Sequence, residues 1–462
     1  MNIYIILCPS LFKRAPLIGL GYLSAYLKNK GHQAFILDLN TSMDVPDDSR
    51  EHVWCCEESV EKFIVKNNSY LESLADKILQ NDAKIIGFSV WATTKHVSLA
   101  LAKIIKRKDK ERLIVFGGPE CSFTGDSLIR KQEVDIVVYG EGEETLAEIA
   151  DIYENQGKID FCPGAILKKD GNIINCGHRA EIDNLDTLPF PDYSQFSFSK
   201  YYSPYSLSMT FYRGCLRHCV FCNSAVTWKR FRSRSAGNIY REMIFQIARY
   251  PELQKFEIDD TAVNLNLPML SELCDLIIAN GIKIKWGGSA LIRQEMNSGL
   301  IKKMAKAGCN CLGFGLESGS QKIVDAMGKG FKIADAERVI RDTNEAGIET
   351  ILGIVIGFPG ETEEDFRQTL AFIERNKGFI SKINFPSECC IGCGNYLSQH
   401  LDEFNVVLDP SEDGEQWSSK DGSNTHHIRN KRKEIFAEFL DSLGVFSGNY
   451  ATVYKKQAGS LD

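Results

Sequence analysis

Between residues 1 and 155 the apolar positions alternate between two rhythms. Short runs rich in β-branched and large apolar residues at 3–7, 34–39, 84–90, 113–117 and 136–139 read as strands. Between them, apolar positions recur at helical spacing over 19–30, 70–80, 97–106 and 144–153. Nearly continuous apolar strands alternating with amphipathic helices predict a parallel sheet covered on both faces, a Rossmann-like doubly wound α/β domain. Residues 41–68 break this rhythm and read as an insertion.

Residues 156–205 are rich in turns and prolines and read as an ordered connector, marked by Leu188-Pro189-Phe190-Pro191-Asp192. A second alternating set fills 206–388. Its strands are expected at 206–212, 255–259, 283–289, 311–317, 350–357 and 382–387, with helices at 236–249, 267–280, 299–307, 334–346 and 363–376. Six βα units are too few for a closed eight-stranded barrel. They predict a partial (βα)6 barrel, open on one side, with its site at the carboxyl ends of the strands. Residues 389–462 form a short C-terminal α-rich extension, expected to cover the open side and help define the substrate.

Composition narrows the setting. A chain of 462 residues is too long for one ordinary core, in keeping with two or three domains. A net charge of −7 lacks the electrostatic footprint of a nucleic-acid binder. The basic run Lys229-Arg230-Phe231-Arg232-Ser233-Arg234 reads as a solvated helix entrance with some arginines turned inward to carboxylates. No apolar run reaches the roughly 18 residues of a membrane span. The apolar start is followed, not preceded, by its charges, so it reads as a first strand and the chain is expected to be cytoplasmic. Fifteen cysteines without a secretory signal argue for reduced thiols, some of them metal ligands.

The sharpest feature is Arg213-Gly214-Cys215-Leu216-Arg217-His218-Cys219-Val220-Phe221-Cys222, directly after the first strand of the second set. Three thiolates on one glycine-led loop can converge on one face of an iron–sulfur cube. A fully ligated cube needs four, so one iron would stay open to an outside ligand. The alternatives are a zinc site, for which only His218 is near as a fourth ligand, or plain core cysteines. The spacing C-x3-C-x2-C, with an aromatic before the last cysteine, resembles the signature of the radical S-adenosylmethionine (SAM) superfamily. That resemblance implies a [4Fe–4S] cluster on Cys215, Cys219 and Cys222. SAM would chelate the open iron and be cleaved on reduction to a 5′-deoxyadenosyl radical, with Phe221 packing on the adenine.

The other strand ends agree. Phe256-Glu257-Ile258-Asp259-Asp260, Trp286-Gly287-Gly288-Ser289-Ala290-Leu291-Ile292-Arg293, Gly313-Phe314-Gly315-Leu316-Glu317-Ser318-Gly319 and Gly357-Phe358-Pro359-Gly360-Glu361-Thr362 end successive strands. Each resembles the corresponding strand end in the radical SAM subgroup that carries an N-terminal cobalamin (B12)-binding domain. The resemblance implies SAM contacts at Asp260 and Glu317, with Ser289 and Arg293 meeting the SAM carboxylate. Taken alone, Glu361 reads as a carboxylate at a helix N-terminus.

In the front domain, Pro16–Leu23, Val115-Phe116-Gly117-Gly118-Pro119-Glu120, Tyr139-Gly140-Glu141-Gly142-Glu143 and the proline-rich linker resemble the same subgroup. They imply cobalamin contacts at Ser89, Gly117, Gly118, Gly140 and Gly142. No histidine occupies a D-x-H-x-x-G frame, so cobalt would lack a protein histidine on its lower face; the alternative is a domain that kept the fold and lost the cofactor. Cys389, Cys390 and Cys393, after the sixth strand, read as buried small hydrophobes or loop thiols, or else as a second cluster or a reactive thiol.

The resemblance implies a cobalamin-dependent methyltransferase acting on an unactivated carbon. The alternatives are a radical rearrangement, cyclisation or other C–H functionalisation without methyl transfer, and a non-catalytic cluster or cobalamin carrier. Expected partners are a small-molecule, lipid or peptide substrate and an external electron donor such as flavodoxin or ferredoxin. No nucleic acid is expected: the tail shows no RNA-binding module and the front domain no three-cysteine motif.

Overall fold

The computed structural model describes residues 1–9, 13–43, 54, 57–384, 386–392, 394–409 and 416–444. The chain divides into two units, Met1–Ser208 and the residues from Met209 onward. Among the described residues no helix is long and apolar enough to cross a membrane.

The first unit is built on a seven-stranded sheet. Its strands are β1 (Asn2–Leu7), β2 (Gln33–Asp38), β3 (Ile85–Ser89), β4 (Leu113–Gly117), β5 (Ile136–Val138), β6 (Ala165–Lys169) and β7 (Asn172–Asn175), in the order β2-β1-β3-β4-β5-β6-β7. β1 to β5 pair in parallel, with the helices Ile18–Asn29, Asn68–Leu79, Lys95–Lys108 and Cys121–Leu128 among their crossovers, and Gly142–Gln156 follows β5. Phe88 and Phe116, on neighbouring strands, pack with ring centroids 5.1 Å apart at the centre of the apolar layer. Of the 41–68 insertion, residues 44–53 and 55–56 lie outside the described residues, and Glu57–Lys66 is helical.

The sheet is not wholly parallel. β6 and β7 come from the region expected to be connector, and they add an antiparallel hairpin to β5. The turn is Asp170-Gly171, with φ of 49° and 79°. Those left-handed values fit the tight hairpin turn whose twist matches the strands. Further on, the connector covers the free edge of β2. Gln195 Nε2 donates to Ala34 O at 2.8 Å, and Ile36 N–H donates to Gln195 Oε1 at 2.9 Å. One side-chain amide thereby satisfies a donor and an acceptor on the exposed strand edge.

The second unit holds the partial barrel. β8 (Ser206–Met209), in which the dividing line falls, begins it. Next come the two-residue strands β9 (Tyr212–Arg213) and β10 (Arg232–Ser233), which form a small antiparallel ribbon of their own. The main strands are β11 (Lys255–Ile258), β12 (Lys285–Ala290), β13 (Cys309–Glu317), β14 (Glu349–Ile356) and β15 (Lys382–Ile383), in the order β15-β14-β13-β12-β11-β8. β16 (Ser387–Glu388) pairs with the far end of β14. The crossover helices start where the sequence supplies caps. Ser235, Asn266 and Asn297 each accept a backbone N–H from the first turn, and Thr362 and Asp365 form a reciprocal capping box. Past the barrel, β17 (Val406–Leu408) and β18 (Trp417–Ser419) pair antiparallel, and the helix His426–Leu443 follows.

Trp286 anchors the packing of β12 against the helix that follows it: it is fully buried, and its Nε1 donates to Ala307 O at 2.9 Å. Trp286→Ala is expected to cost about 3–5 kcal/mol. Trp286→Phe, which keeps a ring and loses one hydrogen bond, should cost clearly less. Urea midpoints of the two variants check this; equal losses would mean that the buried ring is not what stabilises the barrel.

Candidate cluster and cofactor site

The three cysteines lie between β9 and β10, so the ribbon pins both ends of the loop that carries them. Gly214 opens the loop at φ 88°, and a Cβ there would run into the Arg230 carbonyl. Only glycine fits this turn. Cys215, Cys219 and Cys222 are all free and half-buried. Cys215 Sγ accepts the Arg217 N–H and Cys222 Sγ the Ser224 N–H, each at 3.4 Å. Burial pushes the Cys219 thiol up, and Lys329 nearby pulls it back down. Between the last two cysteines, Val220 and Phe221 turn into an apolar cluster with Met327, Phe358, Ile391 and Leu397. Val220 N–H also donates to Met327 O at 3.1 Å. Among the described residues no three His, Cys, Asp or Glu side chains are gathered round the site of a single metal ion. The donor set that the loop does offer, three half-buried sulfurs of which two accept a backbone N–H, fits the three separate irons of a cube.

Lys329 and Glu317 stand beside this loop. Lys329 Nζ is 2.9 Å from Glu317 Oε1 and 5.9 Å from the Phe221 ring centroid. Glu317 sits at φ 64°, a conformation that costs a non-glycine residue energy and is held only where its surroundings demand it. Lys329 was not singled out in the sequence. The only signal was its place between Gly328 and Gly330, whose backbones are left-handed.

The remaining strand-end residues divide. Ser289 is exposed at the end of β12, and its hydroxyl makes no hydrogen bond among the described residues. Arg293 Nη1 donates to the carbonyls of Asn264 and Leu265 at 2.9 and 2.7 Å, and its Nη2 lies 3.5 Å from Glu295 Oε1. Asp260 turns Oδ2 back onto the N–H groups of Phe211 and Tyr212, at 2.6 and 3.2 Å. Burial pushes its carboxyl well above the usual range, and those two donors oppose the shift. Thr261 Oγ1 donates to Gly214 O at 3.0 Å. The 260–261 pair therefore braces the root of the cysteine loop.

The loop after β14 is built jointly with the C-terminal segment. Gly357, at φ 79°, leaves room for the stem of the buried Arg429, and a Cβ there would overlap it. Arg429 stacks on Trp417 at 4.1 Å and reaches Glu388 Oε2 at 3.1 Å. Arg432 Nη1 meets Glu361 Oε2 at 3.0 Å, and that same oxygen accepts the Gly357 N–H at 2.8 Å. Cys389 is buried, with its thiol pushed up by desolvation, and Cys390 is exposed. Cys393 lies outside the described residues.

In the first unit, Ser89, Gly117, Gly118, Gly140 and Gly142 lie at or just beyond the carboxyl ends of β3, β4 and β5. Gly118, at φ 105°, packs against the Val90 backbone, where a Cβ would come within 2.8 Å of Val90 N and O. Gly140, at φ 75°, and Gly19 face open space. On the loop after β3, Trp91 Nε1 and Thr93 Oγ1 are buried polar atoms without a partner among the described residues. Open space at Gly19 and Gly140, with two unpartnered polar atoms on the loop after β3, is what this end of the sheet offers to a ligand such as cobalamin.

Burial raises the Glu361 carboxyl from its ordinary 4.5 to about 7, against the pull of Arg432 and of the Gly357 N–H. The folded chain therefore holds this proton through a pH range in which the unfolded chain has lost it. Glu361 contributes stability that is full below about pH 4.5 and is lost as pH rises through about 7. In Glu361→Gln the fall in unfolding free energy across that window should be shallower by up to about 1.4 kcal/mol per pH unit. Denaturant titrations at several pH values check this; unchanged slopes would contradict it.

The model of the Radical SAM superfamily matches residues 209–373, and the model of the B12 binding domain matches residues 10–150. An uncharacterized methyltransferase of Pyrococcus horikoshii is 29% identical over 307 residues, covering 65% of this chain and 66% of the relative. The anaerobic magnesium-protoporphyrin IX monomethyl ester cyclase of Cereibacter sphaeroides is 25% identical over 309 residues, covering 64% of this chain and 50% of the relative. The chain thus spans between half and two thirds of the length of these two relatives. The cobalamin-dependent S-adenosylmethionine radical enzyme OxsB, with aqua-cobalamin and SAM bound, shares the fold: TM-score 0.70 at 16% identity, over 94% of this chain and 65% of that one. With the three-thiol loop on its partial barrel and the glycine-rimmed sheet ahead of it, the chain belongs to the radical SAM superfamily, in the subgroup with an N-terminal B12-binding domain, whose cofactors are a [4Fe–4S] cluster, SAM and cobalamin.

Proposed function

We propose that the chain is a cobalamin-dependent methyltransferase that methylates an unactivated carbon of a small-molecule, lipid or peptide substrate. The observation that carries this reading is the presence in one chain of the three-thiol loop and the B12-binding sheet. The methyltransferase among its relatives supports it. When bound, the cofactors supply radical cleavage of SAM and a methyl group carried on cobalt; the protein supplies position, electrostatics and exclusion of water. Cys215, Cys219 and Cys222 would hold the cluster and leave one iron for SAM. Glu317, with Lys329 beside it, and Ser289 offer charge and hydrogen bonds to the amino acid and ribose portions of SAM, and Arg293, which pairs with Glu295, would have to exchange that partner to meet the SAM carboxylate. Phe221 offers an aromatic face for the adenine, backed by Phe358 at 6.5 Å. Asp260 supports the same site through the backbone at Phe211 and Tyr212. In the first unit, Ser89 and the glycines at 117, 118, 140 and 142 would bring the strand ends to a corrin, with Gly140 leaving open space for it and Gly118 instead letting the chain pack on the Val90 backbone. An external electron donor, flavodoxin or ferredoxin in kind, would reduce the cluster.

The cyclase relative favours a second reading, radical C–H functionalisation without methyl transfer. The two part on their products. The full chain, purified anaerobically and reconstituted with iron, sulfide and hydroxocobalamin, is incubated with SAM, reductant and candidate substrates. The methyltransferase reading expects bound cobalamin, with S-adenosylhomocysteine and 5′-deoxyadenosine formed together. Deoxyadenosine without S-adenosylhomocysteine would favour the second reading, and a cluster without cobalamin would overturn the first.

Lys329→Met is expected to weaken SAM binding roughly tenfold, because it leaves the Glu317 carboxylate beside the site without its partner. Iron content should be unchanged. Titration of SAM into the reduced protein, followed by electron paramagnetic resonance (EPR), reads the affinity; an unchanged affinity would remove this pair from the SAM site.

A further inference from the structure

The segment after the barrel reaches back into the cysteine loop at two points. Asn395 Nδ2 donates to the Phe221 carbonyl at 2.9 Å, across 174 residues of sequence. Leu397 N–H donates to the Val220 carbonyl at 2.9 Å. Both acceptors lie on the two residues between the ligands Cys219 and Cys222, whose own backbones close a turn, Cys222 N–H to Cys219 O at 3.0 Å. Asn395 is only 2% exposed. Its other amide atom, Oδ1, accepts the Ser398 N–H at 2.9 Å and so caps the short helix Tyr396–Gln399. The orientation of the amide is forced, because a carbonyl can only accept and a backbone N–H can only donate. Gly392 completes the fit: a Cβ there would come within 2.9 Å of the Asn223 side chain and 3.2 Å of Asn395 Nδ2.

We propose that Asn395 is a positioning residue for the iron–sulfur cluster, holding the Phe221 carbonyl so that the turn from Cys219 to Cys222 presents both sulfurs in fixed register. The proposal rests on the assignment of the cluster to these cysteines. It gives the C-terminal extension a part in the metal site itself, beyond covering the barrel. Without the amide, the Phe221 carbonyl loses a buried donor, and the remaining outside bonds to the turn, from Leu397 N–H and to Met327 O, both fall on Val220.

Asn395 does two jobs, and substitution separates them. In Asn395→Asp the carboxylate still caps the helix, a position that aspartate favours, but the donor to Phe221 is gone. Asn395→Ser keeps a neutral cap and is too short to reach Phe221, so it reports the same loss without a buried charge. The reconstituted full chain and both variants are compared for iron per chain, for the rate of iron loss to a chelator, and for the EPR spectrum of the reduced cluster. Thermal melting of the helical signal is followed in parallel. Both variants should lose iron roughly five times faster than the parent, from one missing hydrogen bond. Their reduced spectra should be altered and their melting little changed. Iron retention and spectra equal to the parent in both variants would overturn the proposal. So would iron loss that merely follows loss of helical signal in both, which would assign Asn395 to folding alone. A parent chain that takes up no cluster would instead defeat the cluster assignment.

Discussion

A cube of iron and sulfur imposes its own spacing on the thiolates that grip it, so a loop with three ligands must be held in shape by something other than its ligands. Here the holding is done from outside the loop. The β9–β10 ribbon clamps its ends, Asp260 and Thr261 brace its root, and Met327, Asn395 and Leu397 take the backbone groups at Val220 and Phe221. The Val220 and Phe221 side chains, each half-buried, pack against the apolar cluster. The two cysteines that flank them are therefore left to the other side. The order of apolar and sulfur residues thus becomes a geometric statement: burial of the pair between Cys219 and Cys222 aims the ligands.

The same loop gathers the charges. Lys329 lies close enough to Cys219 to favour its thiolate and close enough to Glu317 to form an ion pair. A buried pair of this kind gives little net stability, because desolvation offsets the attraction. What it does give is a fixed arrangement of charge at a strand end, supported by the left-handed backbone of Glu317. On the far side, Arg429 and Arg432 reach from the last helix into the loop after β14. The site end of the barrel is therefore made of two stretches of chain that are distant in sequence.

Much of this was legible in the sequence because it is periodic or local. The barrel strands from 255 to 356 fall within a few residues of where the apolar runs put them, since buried parallel strands need such runs. The cysteine spacing needed no structure at all. What escaped was long-range or solitary. The β6–β7 hairpin hid in a polar, turn-rich stretch, since edge strands need little apolar sequence. Lys329, Asn395, Arg429 and Arg432 are single polar residues whose partners lie up to 174 positions away, and no local pattern marks them. Asp260 read as a ligand-facing carboxylate at a strand end, where backbone N–H groups compete for the same oxygens.

The central claim is that Cys215, Cys219 and Cys222 hold a cube with one iron left for SAM. Mössbauer spectroscopy of the chain reconstituted with the iron-57 isotope, recorded with and without SAM, tests it most directly. A four-iron cluster is expected, in which SAM shifts the spectrum of one iron and leaves three alone. A spectrum indifferent to SAM, or iron bound in any form other than a cube, would contradict it.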